Sequence, residues 1–245
     1  MSEIAAILFF TIAAGACIPL GGFVASFEHI HSRWLEQELR HSVIALGGGI
    51  LLGAVAIVLV PEGIASMNGS MLAIPLVLGG GLTFFGIERA LGLHRHESPQ
   101  VMGMLLDYVP EAIAIGGLIS LGSSAAPLLA LLIGLQNLPE GFNAFRELHA
   151  TGQRSARRTL LIMVSLVAIG PAAGLGGYYL LADFPAALGA IMLFASGGLL
   201  YLIFQDIAPQ SRLNRHWAPP LGAVVGFSVA LFGDMLVRGG VDSVR

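Results

Sequence analysis

The sequence predicts an all-α integral membrane protein of eight transmembrane helices in one domain, residues 1–245, on three observations. First, 56% of the residues are hydrophobic and only 11% are charged, with a mean hydropathy of +0.82. A soluble domain carries about 25% charged residues to cover its surface. Second, the charges cluster between apolar runs of about 20 residues, the length that crosses a ~30 Å hydrocarbon core at ~1.5 Å per residue. Third, the arginines fall almost entirely in every second loop.

Taken in order, the apolar runs place spans near 4–27, 42–62, 70–92, 100–121, 125–147, 158–182, 185–208 and 218–238. The first lacks the basic start of a secretory signal, since no Lys or Arg precedes Arg33, and it is read as a retained span. Glycine is abundant at 33 residues and lies mostly inside the runs, as in Gly47-Gly48-Gly49, Gly79-Gly80-Gly81 and Gly197-Gly198. Inside a bilayer such small residues let helix backbones approach closely. Trp34 and Trp217 stand where interface anchors are expected. The single cysteine, Cys17, excludes a disulfide framework and a thiolate metal cluster.

The chain has no lysine. Ten of its twelve basic residues (Arg33, Arg40, Arg89, Arg95, Arg146, Arg154, Arg157, Arg158, Arg212 and Arg215) flank the loops after spans one, three, five and seven. Only Arg238 and Arg245 fall on the other side. The positive-inside rule puts the arginine side in the cytoplasm and both termini outside, which fixes an even number of spans. The expected location is the cell membrane, inner or plasma. No basic tract is long enough to recruit nucleic acid, and net charge −3 carries no information about partners. All seven histidines share the arginine side. They are read either as ordinary polar loop residues or as a weak cytoplasmic metal sink, with His94 and His96 the best pair.

Chemistry concentrates in two adjacent spans. The fourth reads Asp107-Tyr108-Val109-Pro110-Glu111 and the fifth Gln136-Asn137-Leu138-Pro139-Glu140. Asp107 and Glu111 are four residues apart, as are Gln136 and Glu140, so each pair shares one helix face. Pro110 and Pro139 cannot donate to the carbonyls of Leu106 and Leu135, so each helix is expected to kink beside its carboxylates. Backbone left unpaired at membrane depth is tolerated only in buried protein or beside a water-filled cavity. An ionised carboxylate there costs at least ~2.5–3.5 kcal/mol, and no arginine lies mid-span to offset it. A divalent cation, protonation, or both would compensate. Protonated acids bonded between helices explain one carboxylate easily, but not a duplicated motif with proline at the same offset.

These residues resemble the ZIP (Zrt/Irt-like) divalent metal transporters over nearly the whole chain. Gln136-Asn137-Leu138-Pro139-Glu140-Gly141 is similar to the fifth-helix motif of that family. Gly48-Gly49-Ile50-Leu51-Leu52-Gly53 with Pro61-Glu62 looks like its second helix, and Phe84-Phe85-Gly86-Ile87-Glu88-Arg89 like the end of its third. Gly197-Gly198-Leu199-Leu200-Tyr201, running to Asp206 and Pro209, looks like its seventh. The resemblance implies a primary transport site of Asp107, Glu111, Gln136 and Glu140. It also implies an elevator-like motion, with a pathway between helices four and five and a moving group containing helices one and six. Asp107 and Tyr108 replace the family's fourth-helix His-Asn, and Gly170 stands where many members have a sixth-helix glutamate. A second metal site, of which Asn137 remains, is expected to be lost, with Tyr108 a candidate to fill its space.

Glu62 and Asp206, near the ends of spans two and seven, fit an inverted repeat of helices 1–3 and 6–8 around helices 4–5, or are interfacial carboxylates in water. Asp234 is a second-line pathway or packing residue of span eight. Three carboxylates and an amide, without His or Cys, shift the preference toward manganese, ferrous iron or magnesium, beside the zinc or iron that the resemblance implies. Against one dication they leave one negative charge in excess, so proton-linked transport is a hypothesis. The expected function is therefore passage of zinc, iron or manganese into the cytoplasm, the metal being substrate, with no organic cofactor and no enzymatic activity. The expected partners are the metal and the bilayer, with a homodimer left open. The alternatives are a metal-binding sensor or scaffold that does not transport, and a transporter of another cation. An intramembrane protease would need a His-Glu-x-x-His, a Ser/His pair at depth or paired aspartates in distant spans, and none is present.

Overall fold

The computed structural model describes residues 2–27, 33–91, 99–150, 155–212 and 217–242, with side chains 33–37, 91, 99–102, 150 and 238–242 left out. Among the described residues the fold is all-helical. The elements are α1 (Glu3–Phe27), α2 (33–66), α3 (Ala73–Leu91), α4 (Pro99–Ser120), α5 (Ala125–Ala150), α6 (Ala156–Leu181), α7 (Pro185–Gln210) and α8 (Leu221–Asp242). Six of them, all but α5 and α8, contain stretches long and apolar enough to cross a membrane. α8 is apolar over Leu221–Val237, and α5 is made more polar by Gln136, Asn137 and Glu140.

The exterior agrees with a lipid solvent. Phe9, Phe23, Leu82, Leu180, Phe204, Phe232 and Leu236 are all exposed, a quantity of outward apolar surface that a monomer in water rarely carries. The chain is a multi-pass, all-α membrane protein. Its interior holds Ile18, Leu51, Leu59, Ile115, Leu118, Leu129, Leu132 and Leu188, together with the polar residues of α4 and α5.

Two helices depart from simple α geometry at matching places. α2 widens into a π-helical turn over Ala54–Leu59 just before Pro61, and α7 does so over Ile203–Ile207 just before Pro209. A proline N cannot donate to the carbonyl four residues back, so register is lost there and a wider turn accommodates it. α6 differs from the expected uninterrupted span: it breaks at Val167–Ala168, where both N–H groups turn back three residues, to Val164 and Ser165. Pro171 cannot donate to the Val167 carbonyl, which accounts for the break. α2 begins nine residues before the expected span at 42, through the polar segment Arg33–Arg40.

Packing is organised as four helix pairs: α1 on α5, α4 on α6, α2 on α8, and α3 on α7. Each is closed by glycines that admit the partner's backbone. A β-carbon at Gly21 of α1 would stand 2.1 Å from the Leu138 carbonyl oxygen, and one at Gly141 of α5 2.1 Å from that of Ile18. Gly116 and Gly177 do the same for α4 and α6, Gly49 and Gly226 for α2 and α8, and Gly80 and Gly197 for α3 and α7. Without a hydrophobic drive between helices in lipid, this close approach is what supplies the packing energy. In the glycine runs it is Gly49, Gly80 and Gly197 that admit a partner's backbone, while Gly79 has its nearest neighbour at 4.0 Å.

Candidate functional site

α4 and α5 lie side by side, and both run as unbroken helices through Pro110 and Pro139. The two Pro-Glu motifs therefore meet in the interior. Glu111, Gln136 and Asn137 are fully buried, and Asp107 is 4% exposed. The Gln136 Nε2 donates to both carboxylate oxygens of Glu111, at 3.0 Å each. Asn137 Nδ2 donates to the Ala14 carbonyl of α1 at 3.0 Å.

Among the described residues, seven buried side-chain atoms have no hydrogen-bond partner in the protein, and six of them belong to this cluster. They are Asp107 Oδ1, Gln136 Oε1, Asn137 Oδ1, both carboxylate oxygens of Glu140, and Asn143 Oδ1; the seventh is Thr159 Oγ1. A buried polar atom left unpaired costs about 1–3 kcal/mol. Six orphaned acceptors in one place, all oxygens, define a locus built to receive positive charge or hydrogen-bond donors. Asp107, Glu111 and Glu140 do not, however, form a preformed three-carboxylate cage. Among the described residues no three His, Cys, Asp or Glu side chains are grouped so as to hold a metal ion. Glu111 is engaged by Gln136, while Asp107 and Glu140 line a neighbouring cavity.

That cavity, of about 200 Å³, lies between α4 and α5 on one side and α2 and α7 on the other. Its polar lining is Asp107, Glu140, Asn143, Asp206 and Gln210, with Gly47, Gly48 and Leu51 of α2 opposite. Every lining residue but Leu51, which stands at the middle of α2, sits in the half of its helix adjoining the segments 28–32, 92–98, 151–154 or 213–216, so the cavity lies toward one end of the bundle. On the other side of the cluster, fully buried Ile115, Leu118, Leu129, Leu132 and Ile133 close the interior. The cavity that Asp107 and Glu140 line is on the α2/α7 side of α4 and α5, while α1 and α6 pack against α5 and α4 through close glycine contacts.

Tyr108, next to Asp107, explains two glycines at once. It is fully buried and its hydroxyl donates to the Thr11 carbonyl of α1 at 2.8 Å. A β-carbon at Gly170 of α6 would stand 1.9 Å from that hydroxyl oxygen, and one at Gly15 of α1 2.3 Å. Gly170 is thus the room that the Tyr108 ring requires.

The remaining expected residues separate. Asp206 joins Asp107 and Glu140 in lining the cavity. Glu62 does not; it is half-buried near the far end of α2, where Ser123 Oγ donates to its Oε2 at 3.1 Å. Asp234 is half-buried on α8 away from the cavity. His94 and His96 lie outside the described residues, as do His29, His31 and His216, while His149 stacks on Phe145. Trp217 is exposed. Two features went unread in the sequence. Asn143 lines the cavity three residues after Glu140 and seven after Gln136, a helical spacing that places all three on one face. Glu88, buried on α3, accepts a hydrogen bond from the Tyr201 hydroxyl of α7, a pairing between distant segments. No protein-family model and no curated protein matches the chain.

Proposed function

We propose that the protein is a divalent transition-metal transporter of the ZIP type, with eight membrane spans, passing zinc, iron or manganese toward the cytoplasm. The observation that carries this reading is the concentration of orphaned buried oxygens on paired Pro-Glu helices, several of them on residues that line a cavity between α4, α5, α2 and α7. Carboxylates at membrane depth mark ion pathways by default, because their cost must be offset by what they bind.

Support for eight spans comes from the arginine alternation, which requires α5 and α8 to cross as well, and from the closeness of both to the apolar standard. The inverted repeat is favoured by two correspondences. If α1–α3 correspond to α6–α8 and α4 to α5, the pair α1·α5 maps onto α6·α4, and α2·α8 onto α7·α3. The π-turn-then-proline irregularity recurs in α2 and α7, which that mapping equates. Under it, α1, α4, α5 and α6 form the group that carries the metal, and α2, α3, α7 and α8 the frame it moves against. On the arginine alternation, the half of the bundle that holds most of the cavity lining is the cytoplasmic half, and the proposed form is the one open to that side. Tyr108 against Gly170 favours a single metal position, since the ring occupies the interval between α4, α1 and α6.

The test is uptake of zinc, iron and manganese into vesicles containing the purified protein. Saturable uptake that vanishes in the Glu111→Ala, Glu140→Ala double variant is expected. Full uptake by that variant would sink the site assignment, and metal binding without flux would identify a non-transporting sensor instead.

A further inference from the structure

Asn143 is 5% exposed, and its amide is held in one orientation: Nδ2 donates to the Pro139 carbonyl at 3.0 Å. Because a carbonyl accepts only from a donor, the amide cannot be the other way round, and the atom left over is Oδ1. That oxygen is buried, has no partner in the protein, and belongs to a residue of the cavity wall. The same wall carries Asp107, whose Oδ1 is orphaned and which has Glu140 as a charged neighbour, and Glu140, with both oxygens orphaned.

We propose that Asn143 is a metal ligand, forming with Asp107 and Glu140 a cavity-side position that takes a hard divalent cation of the manganese class; this rests on the transporter reading above. Two carboxylates and a neutral amide oxygen balance a dication without a bound proton. Glu111 is left to its amide contact with Gln136 and is not required at this position. An all-oxygen set with no nitrogen or sulfur donor suits manganese better than zinc. Water from the cavity completes the coordination, as such ions keep several waters when few protein oxygens reach them.

The bond to the carbonyl of residue 139 ties the Asn143 amide to the α5 backbone one turn earlier, beside Glu140.

The test is Mn2+ binding to the purified full-length protein in detergent, followed by loss of the free-ion electron paramagnetic resonance signal. The wild type is expected to bind. Asn143→Leu, which keeps the bulk and removes the oxygen, is expected to weaken Mn2+ about tenfold or more, the range seen when groups around a metal are lost. Unchanged affinity in Asn143→Leu, or no Mn2+ binding by the wild type, would overturn the proposal. If Asn143→Leu fails to fold, Asn143→Asp decides: tighter Mn2+ binding is expected, and unchanged or weaker binding overturns it. Wild-type protein that binds Mn2+ through Asn143 but does not carry it across vesicles removes the transporter reading and leaves this site standing.

Discussion

The two Pro-Glu motifs are nearly the same in sequence and opposite in circumstance. Glu111 is fully buried behind a closed apolar layer, and one amide, Gln136, bridges both of its oxygens. Glu140 lines the cavity, and neither of its oxygens has a partner. The difference arises from what stands beside each motif, not from the motif itself. On the Glu111 side, α6 packs so closely that a β-carbon at Gly116 would meet the Gly174 carbonyl oxygen at 1.8 Å. On the Glu140 side, Gly47 and Gly48 of α2 and Asp206 of α7 line the same cavity as Glu140. A duplicated motif therefore yields one satisfied carboxylate and one available carboxylate.

The largest effect is expected from Glu140→Gln, which keeps the volume and removes the charge. Metal uptake should fall about 100-fold or more, at the upper end of what losing a group at a metal site costs. Glu111→Gln should cost less, about tenfold, because that carboxylate already has a partner. The two variants measured side by side in vesicles check the comparison directly, and the reverse order would break it.

Next comes Gln136→Leu, which leaves Glu111 buried without its donor. A buried acceptor stripped of its hydrogen-bond donor costs about 1–3 kcal/mol, so thermal melting in detergent should drop below wild type. Adding Glu111→Leu to the same chain should restore most of the loss, because an apolar pair of similar shape is nearly neutral. A Gln136→Leu protein that melts like wild type would show that the bridge contributes nothing.

Gly141 follows Glu140 directly, and its role is steric. Gly141→Ala should destabilise by about 1–3 kcal/mol, since the new methyl meets the Ile18 carbonyl oxygen and α1 must shift. Gly86→Ala provides the control: nothing lies within 4 Å of a β-carbon there, and its melting temperature should hold or rise slightly. Equal melting of the two variants would remove the close approach of α1 and α5 as a source of stability.

Much of this was legible in the sequence, because membrane helices advertise themselves by length and the Pro-Glu motifs by their cost. Spans expected at 4–27, 125–147 and 185–208 correspond to helices at Glu3–Phe27, Ala125–Ala150 and Pro185–Gln210. The polar face of α5 was half read: Gln136 and Glu140 were picked out by the motif, and Asn143, on the same face, was passed over because it lies outside it. The pairings were not legible at all. Which glycine meets which carbonyl, that Ser123 bonds Glu62, and that Tyr201 bonds Glu88 depend on segments 61 and 113 residues apart respectively for the last two. No local pattern encodes a partner at that separation. The side on which space opens was also beyond reach, because it is set by packing between helix pairs and not by any one helix.

Tyr108 marks the smallest expected effect and the cleanest separation between packing and transport. Tyr108→Phe keeps the ring in the room made by Gly170 and Gly15 and removes only the bond to the Thr11 carbonyl. That carbonyl belongs to the middle of α1 and keeps its place in the helix backbone ladder, so the cost should be about 0.5–1.5 kcal/mol, the net worth of one hydrogen bond. Melting should fall by a few degrees, while metal uptake and the order of Glu140→Gln against Glu111→Gln stay as in wild type. The hydroxyl is tied to α1 and does not line the cavity, so it has no route to the ion. A large loss of uptake with melting unchanged would place the hydroxyl in the metal's path, and with it the interval between α4, α1 and α6. It would also mean that the first motif is a working half of the site and not the satisfied one.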